Sequence, residues 1–412
     1  MPSRDGRPDD VLADDDAFVR RAIRLAMNGR GRVEPNPMVG CVIARGYGDA
    51  ESVVIGQGLH EAFGQAHAEP NALANCHEDP RGATAYVTLE PCCHTNKKTP
   101  PCAPRLIAAG IARVVIGCVD PSPNVNGNGV AMLRAAGVRV DFANDAVAAE
   151  CRQLIAPFIA GQAGRPYVTA KWAQTADGKV AGPGGARLAI SGEAANQLVH
   201  TLRSRSDAIA VGIGTVLADD PLLTVRRLLT VRIIEALSRV PRRWVFDRRL
   251  RTPLNCRLVQ TAHVVPTTIF CDAAQFDPAK SAAFPQAVRV VPLPDVTLAA
   301  AAAATAGEGM PQHLMIEPGP TLAASLFAAN AVDRLWVIRS PKRVDDPTAP
   351  AAADVPSHFV RVATLSLGDD ALDEYLNTQS PFFFAAAPSA DVELNRSAER
   401  PPVPFPSGRG LE

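Results

Sequence analysis

The chain has 412 residues, 47% of them hydrophobic, with 42 basic and 42 acidic side chains and a formal net charge of zero. That length exceeds one ordinary core and predicts two or three domains. Balanced charge leaves no electrostatic footprint for a phosphate backbone and argues against a dedicated nucleic-acid binder.

Residues 1–15 are polar and acidic and read as a disordered leader without the apolar core of a signal peptide. Asp16 fits the cap of a helix with apolar positions Phe18, Ile23, Leu25, Ala26 and Met27. Pro35-Asn36-Pro37 breaks the chain. Strands are expected at 38–43, 52–56, 85–89, 113–117 and 138–140, with helices at 66–76, 104–109 and 129–136. Strand and helix alternate, so this half is α/β. The pattern resets near 157, and 159–166 reads as a linker. A second α/β series over 167–385 has strands at 167–172, 208–211, 244–247, 267–271, 288–291, 313–316 and 334–338. Its helices are at 192–205, 298–306 and 321–330. Residues 386–412 are rich in Pro, Ser, Arg and Glu and read as a disordered tail. The longest apolar run, 298–304, is mostly alanine and too short to cross a bilayer. Nine scattered cysteines do not form a secreted disulfide framework, which favours a reduced, cytoplasmic protein.

The chemistry concentrates in His67-Ala68-Glu69, then Pro91-Cys92, then Pro101-Cys102. One histidine and two cysteines make three ligands of a tetrahedral zinc and leave the fourth position to water, as a catalytic zinc requires. Glu69, two residues past the histidine, stands where a general acid/base belongs. This order is the signature of zinc-dependent deaminases. Isolated cysteines are more often small buried hydrophobes, but the ordered anchors outweigh that reading. A structural zinc would need a fourth ligand and leave Glu69 idle. Cys92, Cys93 and His94 crowd one loop. The Glu90-Pro91-Cys92 anchor selects Cys92, read at a helix start where the dipole favours thiolate; Cys93 points elsewhere.

Other positions carry two readings. A lone His60 is more often a hydrogen-bonded structural residue than a ligand-binding one. Asp120 sits at a strand end where α/β ligands gather, or forms a turn before Pro121. Gly319-Pro320-Thr321 follows an apolar strand and opens a helix, which is a phosphate-binding arrangement or an ordinary strand–helix turn. No G-x-G-x-x-G follows a strand, so an ordinary Rossmann site is not indicated.

Residues 58–69 and 88–102, with Pro35-Asn36-Pro37-Met38-Val39-Gly40 and Asp120-Pro121-Ser122-Pro123, resemble the deaminase half of the bifunctional riboflavin-biosynthesis deaminase–reductases. Four further stretches are similar to the reductase half: 165–171, Ala176-Asp177-Gly178-Lys179, 214–226 and 316–322. The resemblance covers about 16–385. It implies a cytidine-deaminase-like α/β/α domain over 16–158 and a dihydrofolate-reductase-like α/β domain over 167–385. It further implies zinc and NADPH as cofactors, pyrimidine ribotides as substrates, no nucleic-acid or membrane partner, and a homodimer or higher homo-oligomer. Deamination of a diaminopyrimidine ribosylamine phosphate would precede reduction of its ribosyl chain to ribityl.

By the same resemblance, Asn36, His60, Lys98 and Asp120 contact the deaminase substrate. Arg187, Arg203, Leu223, Arg226 and Glu317 contact the reductase substrate, the arginines by pairing with its phosphate. Ala173, Ala189, Thr215, Asp219, Gly319, Pro320, Thr321, Leu322, Ala323, Ala324 and Ser325 contact NADPH. Two stretches depart from the family pattern. The loop Thr95-Asn96-Lys97-Lys98 is one residue longer than usual. Arg187-Leu188-Ala189-Ile190-Ser191 stands where Ser-x-Trp-Ile-Thr is usual, which motivates an alternative: an active deaminase with a non-catalytic reductase-like domain. A tRNA-editing deaminase fits less well, because those enzymes use P-C-x-x-C and this chain is neutral with a long Cys92-to-Cys102 spacing.

Overall fold

The computed structural model describes residues 7–46, 52–95, 99–225, 240–308, 310–389, 392, 393 and 395. Two sheets organise it. The first runs β2-β1-β3-β4-β5, from β1 (Gly40–Arg45), β2 (Val53–Leu59), β3 (Thr84–Leu89), β4 (Arg113–Cys118) and β5 (Arg139–Phe142). β1 pairs antiparallel with β2 and β3, whereas β3, β4 and β5 are parallel. Every residue of β3 and β4 is buried, as expected where helices cover both faces of a parallel sheet. α1 (Arg7–Met27) packs with α5 (Asp145–Leu154), and α2 (Ala68–Ala74) packs with α3 (Cys102–Ala108), which meets α4 (Asn128–Ala135). α1 lies so close to β1 that a Cβ at Gly40 would stand 2.0 Å from the Ala22 carbonyl oxygen.

The second sheet runs β10-β9-β8-β7-β11-β6-β12-β14-β13. Its strands are β6 (Tyr167–Gln174), β7 (Ala208–Gly212), β8 (Arg242–Phe246), β9 (Thr267–Asp272), β10 (Val288–Leu293), β11 (His313–Glu317), β12 (Arg334–Arg339), β13 (Phe359–Leu367) and β14 (Asp370–Asn377). All neighbours from β10 to β12 are parallel, and β12, β14 and β13 are antiparallel. The carboxyl ends of β7, β11 and β6 lie side by side where the connections change direction, the place where open α/β sheets take ligands. α7 (Glu193–Ser204) and α8 (Ile213–Asp219) flank that edge. Among the described residues no helix is long and apolar enough to cross a membrane.

The structure departs from the sequence expectations at several boundaries. α1 begins at Arg7, so residues 7–15 are helical rather than a disordered leader. Asp16 lies inside that helix and does not cap it. Asp15 accepts from Arg113 Nη1 and Nη2 at 2.7 and 2.6 Å, and Asp16 accepts from the Asn144 backbone at 3.2 Å and from its side-chain amide. The acidic run is therefore partly spent on buried partners. The expected linker is half helical, because α6 spans Ala156–Gln162. The packed chain also continues past 385: Ser389 N–H donates to Glu374 Oε2 at 2.8 Å and Val392 is fully buried. Most of the expected tail lies outside the described residues. β13 and β14 were not anticipated. β14 buries Asp373 and Glu374, which read as surface residues until Arg339 and Arg334 are seen to pair with them at 2.8 and 2.7 Å.

Candidate active sites

The first site gathers at the carboxyl ends of β3 and β4 and at the starts of α2 and α3. His67 immediately precedes α2, and its Nδ1 stands 3.6 Å from Cys92 Sγ and 3.5 Å from Cys102 Sγ. The three donor atoms all lie within 4.8 Å of one another. A tetrahedral zinc with ordinary Zn–S and Zn–N bonds sets its nitrogen–sulfur edges at about 3.6 Å. The donor set fits zinc in both identity and spacing. Cys102 opens α3 and Cys92 does not start a helix, contrary to the sequence reading. The dipole argument survives in altered form, because the first amide of α3, Cys102 N–H, donates to Cys92 Sγ at 3.4 Å. Cys93 stands apart from the ligand trio.

Glu69 occupies the first turn of α2 and is 2% exposed. Its Oε2 has no hydrogen-bond partner among the described residues. Burial first, and then the neighbouring Cys92, push its carboxyl above the usual range. A carboxyl so placed, with an oxygen that no neighbour occupies, can exchange a proton with a group bound in the cavity. A cavity of about 350 Å³ opens here, bordered by Asn36, His60, His67, Glu69, Cys92 and Asp120. His60 Nδ1 donates to the Ala66 carbonyl at 2.9 Å, which leaves Nε2 to accept from Asn36 Nδ2 at 3.1 Å. The lone histidine is thus structural and site-forming at once: it holds the Asn36 amide.

Glu90, quoted in the sequence only as a motif anchor, ties the loops around this cavity. Its Oε2 accepts from Asp120 N–H at 3.3 Å and Gly127 N–H at 2.9 Å, and its Oε1 accepts from Val130 N–H at 3.1 Å. Asp120 accepts from Ser122 N–H at 2.8 Å. Asp120 thus makes a turn and also lines the cavity. His94, from the crowded Cys92–Cys93–His94 loop, also lines it, as does Thr99, to which the sequence assigns no role. Lys98 lies outside the described residues.

The second site forms at the ends of β6, β7 and β11. Arg203 on α7 donates from Nε to Glu317 Oε1 at 2.7 Å and from Nη2 to Oε2 at 2.8 Å. Burial works to raise the Glu317 carboxyl, but Arg203 and Lys171 outweigh it and hold the group below its usual range. Lys171, on β6, is itself lowered by burial. Sequence reasoning gave it no role; the signal was a lone charge inside an otherwise uncharged strand.

The loop after α8 is held in an unusual shape. Leu223 is buried with φ +49°, a region that costs a branched side chain strain unless its surroundings enforce it. Arg243 supplies the enforcement. This fully buried side chain donates from Nη1 to the Leu222 carbonyl at 3.1 Å. Its other donors reach Thr267, Thr261, Leu258 and Val265 at 2.8–2.9 Å, so all its N–H groups are used. Burial pushes its pKa down to about 10, which still leaves it charged near neutrality.

Thr215 and Asp219 lie on α8 beside this loop. Burial raises the Asp219 carboxyl against the pull of Arg187. Gly319 precedes a helix, Pro320–Ala328, whose first turn contains Thr321 and Leu322. A Cβ at Gly319 or Gly214 would meet nothing within 4 Å, so both glycines border open space. Ala323 is buried and faces the core, whereas Ala324 and Ser325 are exposed and Ser325 Oγ bonds back to Thr321 O. Ala173 is the penultimate residue of β6. Arg187 and Ala189 are exposed, and the Ala189 carbonyl accepts from Lys342 Nζ at 2.6 Å. Arg226 lies outside the described residues.

Comparison with known proteins matches these two halves separately. Residues 12–118 match the family model for the cytidine and deoxycytidylate deaminase zinc-binding region, and residues 166–358 match that for the RibD C-terminal domain. The chain is similar to the riboflavin biosynthesis protein RibD of Escherichia coli K12, 38% identical over 342 residues, which is 80% of this chain and 88% of that protein. The Aquifex aeolicus RibD is 36% identical over 80% of this chain and 87% of that protein. The Actinobacillus pleuropneumoniae RibD is 46% identical, over 61% of this chain and 63% of that protein. Among solved structures, Acinetobacter baumannii RibD superposes with a TM-score of 0.73 at 32% identity, covering 89% of this chain and 100% of that one. A diaminohydroxyphosphoribosylaminopyrimidine deaminase/5-amino-6-(5-phosphoribosylamino)uracil reductase from Thermotoga maritima gives 0.72 at 31% identity, covering 89% and 99%.

Proposed function

Because the chain belongs to the RibD family of riboflavin biosynthesis proteins, we propose how its own residues divide two successive reactions between the two sites. The protein is a bifunctional enzyme. Its N-terminal half is a zinc-dependent deaminase of the diaminopyrimidine ribosylamine phosphate, and its C-terminal half reduces the ribosyl chain to ribityl with NADPH. The boundary between the halves falls at residues 163–166, after α6.

The observation that carries the first assignment is the His67–Cys92–Cys102 trio beside the unpartnered oxygen of Glu69. His67, Cys92 and Cys102 would hold zinc, which would supply activation of a water near neutral pH. Glu69 takes the water proton and delivers it to the amine that leaves as ammonia. Asn36, aimed by His60, holds the pyrimidine, and Asp120 borders it from the β4 end. Replacing Glu69 with Gln tests the assignment: zinc content should stay and ammonia release should vanish.

In the second site, Arg203, Glu317 and Lys171 present fixed charges to the sugar and its phosphate, with Arg226 and Arg187 as further candidates for that phosphate. Thr215, Asp219, the free amides of the first turn after Gly319 and the outward Ala324 and Ser325 line the cofactor side, with Ala173 and Ala189 at its border. NADPH supplies the hydride, and the protein orients it. The alternative of an inert reductase-like half has no support among the relatives, and the Arg203–Glu317–Lys171 cluster is complete.

The nine cysteines form no disulfide and seven of them are buried, which supports a reducing, cytoplasmic setting. A homodimer through the reductase halves is the assembly we infer from the family; light scattering giving the mass of two chains would support it, and the mass of one would not.

A further inference from the structure

We propose that Gln312, in the reductase half, is a positioning residue for the deaminase site: its side-chain amide fixes the Pro35–Asn36 peptide and thereby aims Asn36 into the cavity. The inference rests on the reading that Asn36 holds substrate.

The peptide unit between Pro35 and Asn36 is tied at both polar ends. Its N–H donates to the Val33 carbonyl at 2.9 Å. Its carbonyl accepts from Gln312 Nε2 at 3.0 Å. With both ends held, the plane of the peptide and the N–Cα bond of Asn36 are set, so that only rotation about that bond is left to direct the side chain. His60 then holds the amide of that side chain at 3.1 Å. One of the two backbone ties thus comes from the other catalytic half.

Gln312 is itself anchored well enough to serve. Its N–H donates to Asp207 Oδ2 at 2.9 Å, and its carbonyl accepts from Tyr167 N–H at 2.7 Å. Its side chain crosses Gly161 of α6 so closely that a Cβ there would stand 3.0 Å from Gln312 Cγ and 3.1 Å from Nε2. Glycine inside a helix is unfavourable relative to alanine, and here the missing side chain leaves the passage for the glutamine. Gln312 immediately precedes β11, whose other end carries Glu317 in the reductase site.

Two substitutions test this in the full-length, zinc-loaded chain, with ammonia release and NADPH oxidation followed separately. Gln312→Glu keeps the shape and replaces the donor with a second acceptor. It should raise the deaminase KM by about five- to tenfold, the loss expected for one hydrogen bond. Its deaminase kcat, zinc content and reductase kinetics should hold. Gly161→Ala should raise the same KM while the melting temperature holds or rises, because alanine favours the helix. Unchanged KM in both variants would overturn the inference, as would a fall in both activities in step with melting temperature. Asn36→Ala separates the two levels. An unchanged KM there overturns the pocket reading along with the inference. A raised KM there, with none in Gln312→Glu, overturns the positioning role alone.

Discussion

Arg203 and Glu317 form a forked pair at the end of β11, two parallel hydrogen bonds joining side chains only 12% and 17% exposed. Such a pair is not strong evidence of net stabilisation, because desolvation offsets the attraction, but breaking it strands a charge. Arg203→Ala leaves Glu317 without its forked partner, with Lys171 and His200 as the remaining basic neighbours. We expect a loss toward the low end of about 3–5 kcal/mol in urea unfolding. NADPH oxidation should fall to background while ammonia release persists. Loss of both reactions together would mean that the pair supports the whole fold rather than one site.

The same pair sets a pH dependence. Glu317 is held below its usual range, its burial being outweighed by Arg203 and Lys171. A depressed carboxylate contributes stability that is present above the unfolded pKa, near 4.5, and is lost as pH falls through the lower folded value. The gap in melting temperature between wild type and Glu317→Gln should therefore stay constant from neutral pH down to about 5 and close only below the unfolded value. A gap that closes between about pH 7 and 6 would show that the carboxylate is not depressed.

Metal removal should separate the halves. A chelator that strips the His67–Cys92–Cys102 trio should abolish ammonia release, leave NADPH oxidation on pre-deaminated substrate, and lower the melting point of the first domain. Added zinc should restore all of it. Ammonia release that survives complete metal loss would contradict the site.

Glu90 gives a subtler test. Its carboxylate accepts three backbone N–H groups, and Gln would turn an NH2 toward some of them. Glu90→Gln should cost about 1–3 kcal/mol and raise the deaminase KM through displacement of Asp120. The reductase KM should not move; an equal change in both would assign Glu90 to general stability.

Much of the first site is legible in the sequence because its chemistry is tied to residue type: few side chains besides His67, Cys92 and Cys102 make a nitrogen–sulfur zinc site, and their order carries the fold. What escaped detection depends on pairing at a distance. Asp15 resembles a solvated acid until Arg113 meets it. Asp373 and Glu374 disguise β14 as a loop because their arginine partners lie on another strand. The sequence places Cys92 at a helix start, whereas the helix begins at Cys102 and reaches Cys92 only across space. Lys171 and Arg243 act through neighbours that no local window contains. Leu223 gives no local sign of its positive φ, which the Arg243 bond network enforces from β8.

The most direct measurement follows ammonia and NADPH in one reaction with zinc-loaded full-length protein and the diaminopyrimidine ribosylamine phosphate. Two sites acting in sequence predict that ammonia appears first and that NADPH is then consumed in equal amount. Ammonia without NADPH loss would contradict the account of the second half and make Arg187 and Ala189 its most informative residues.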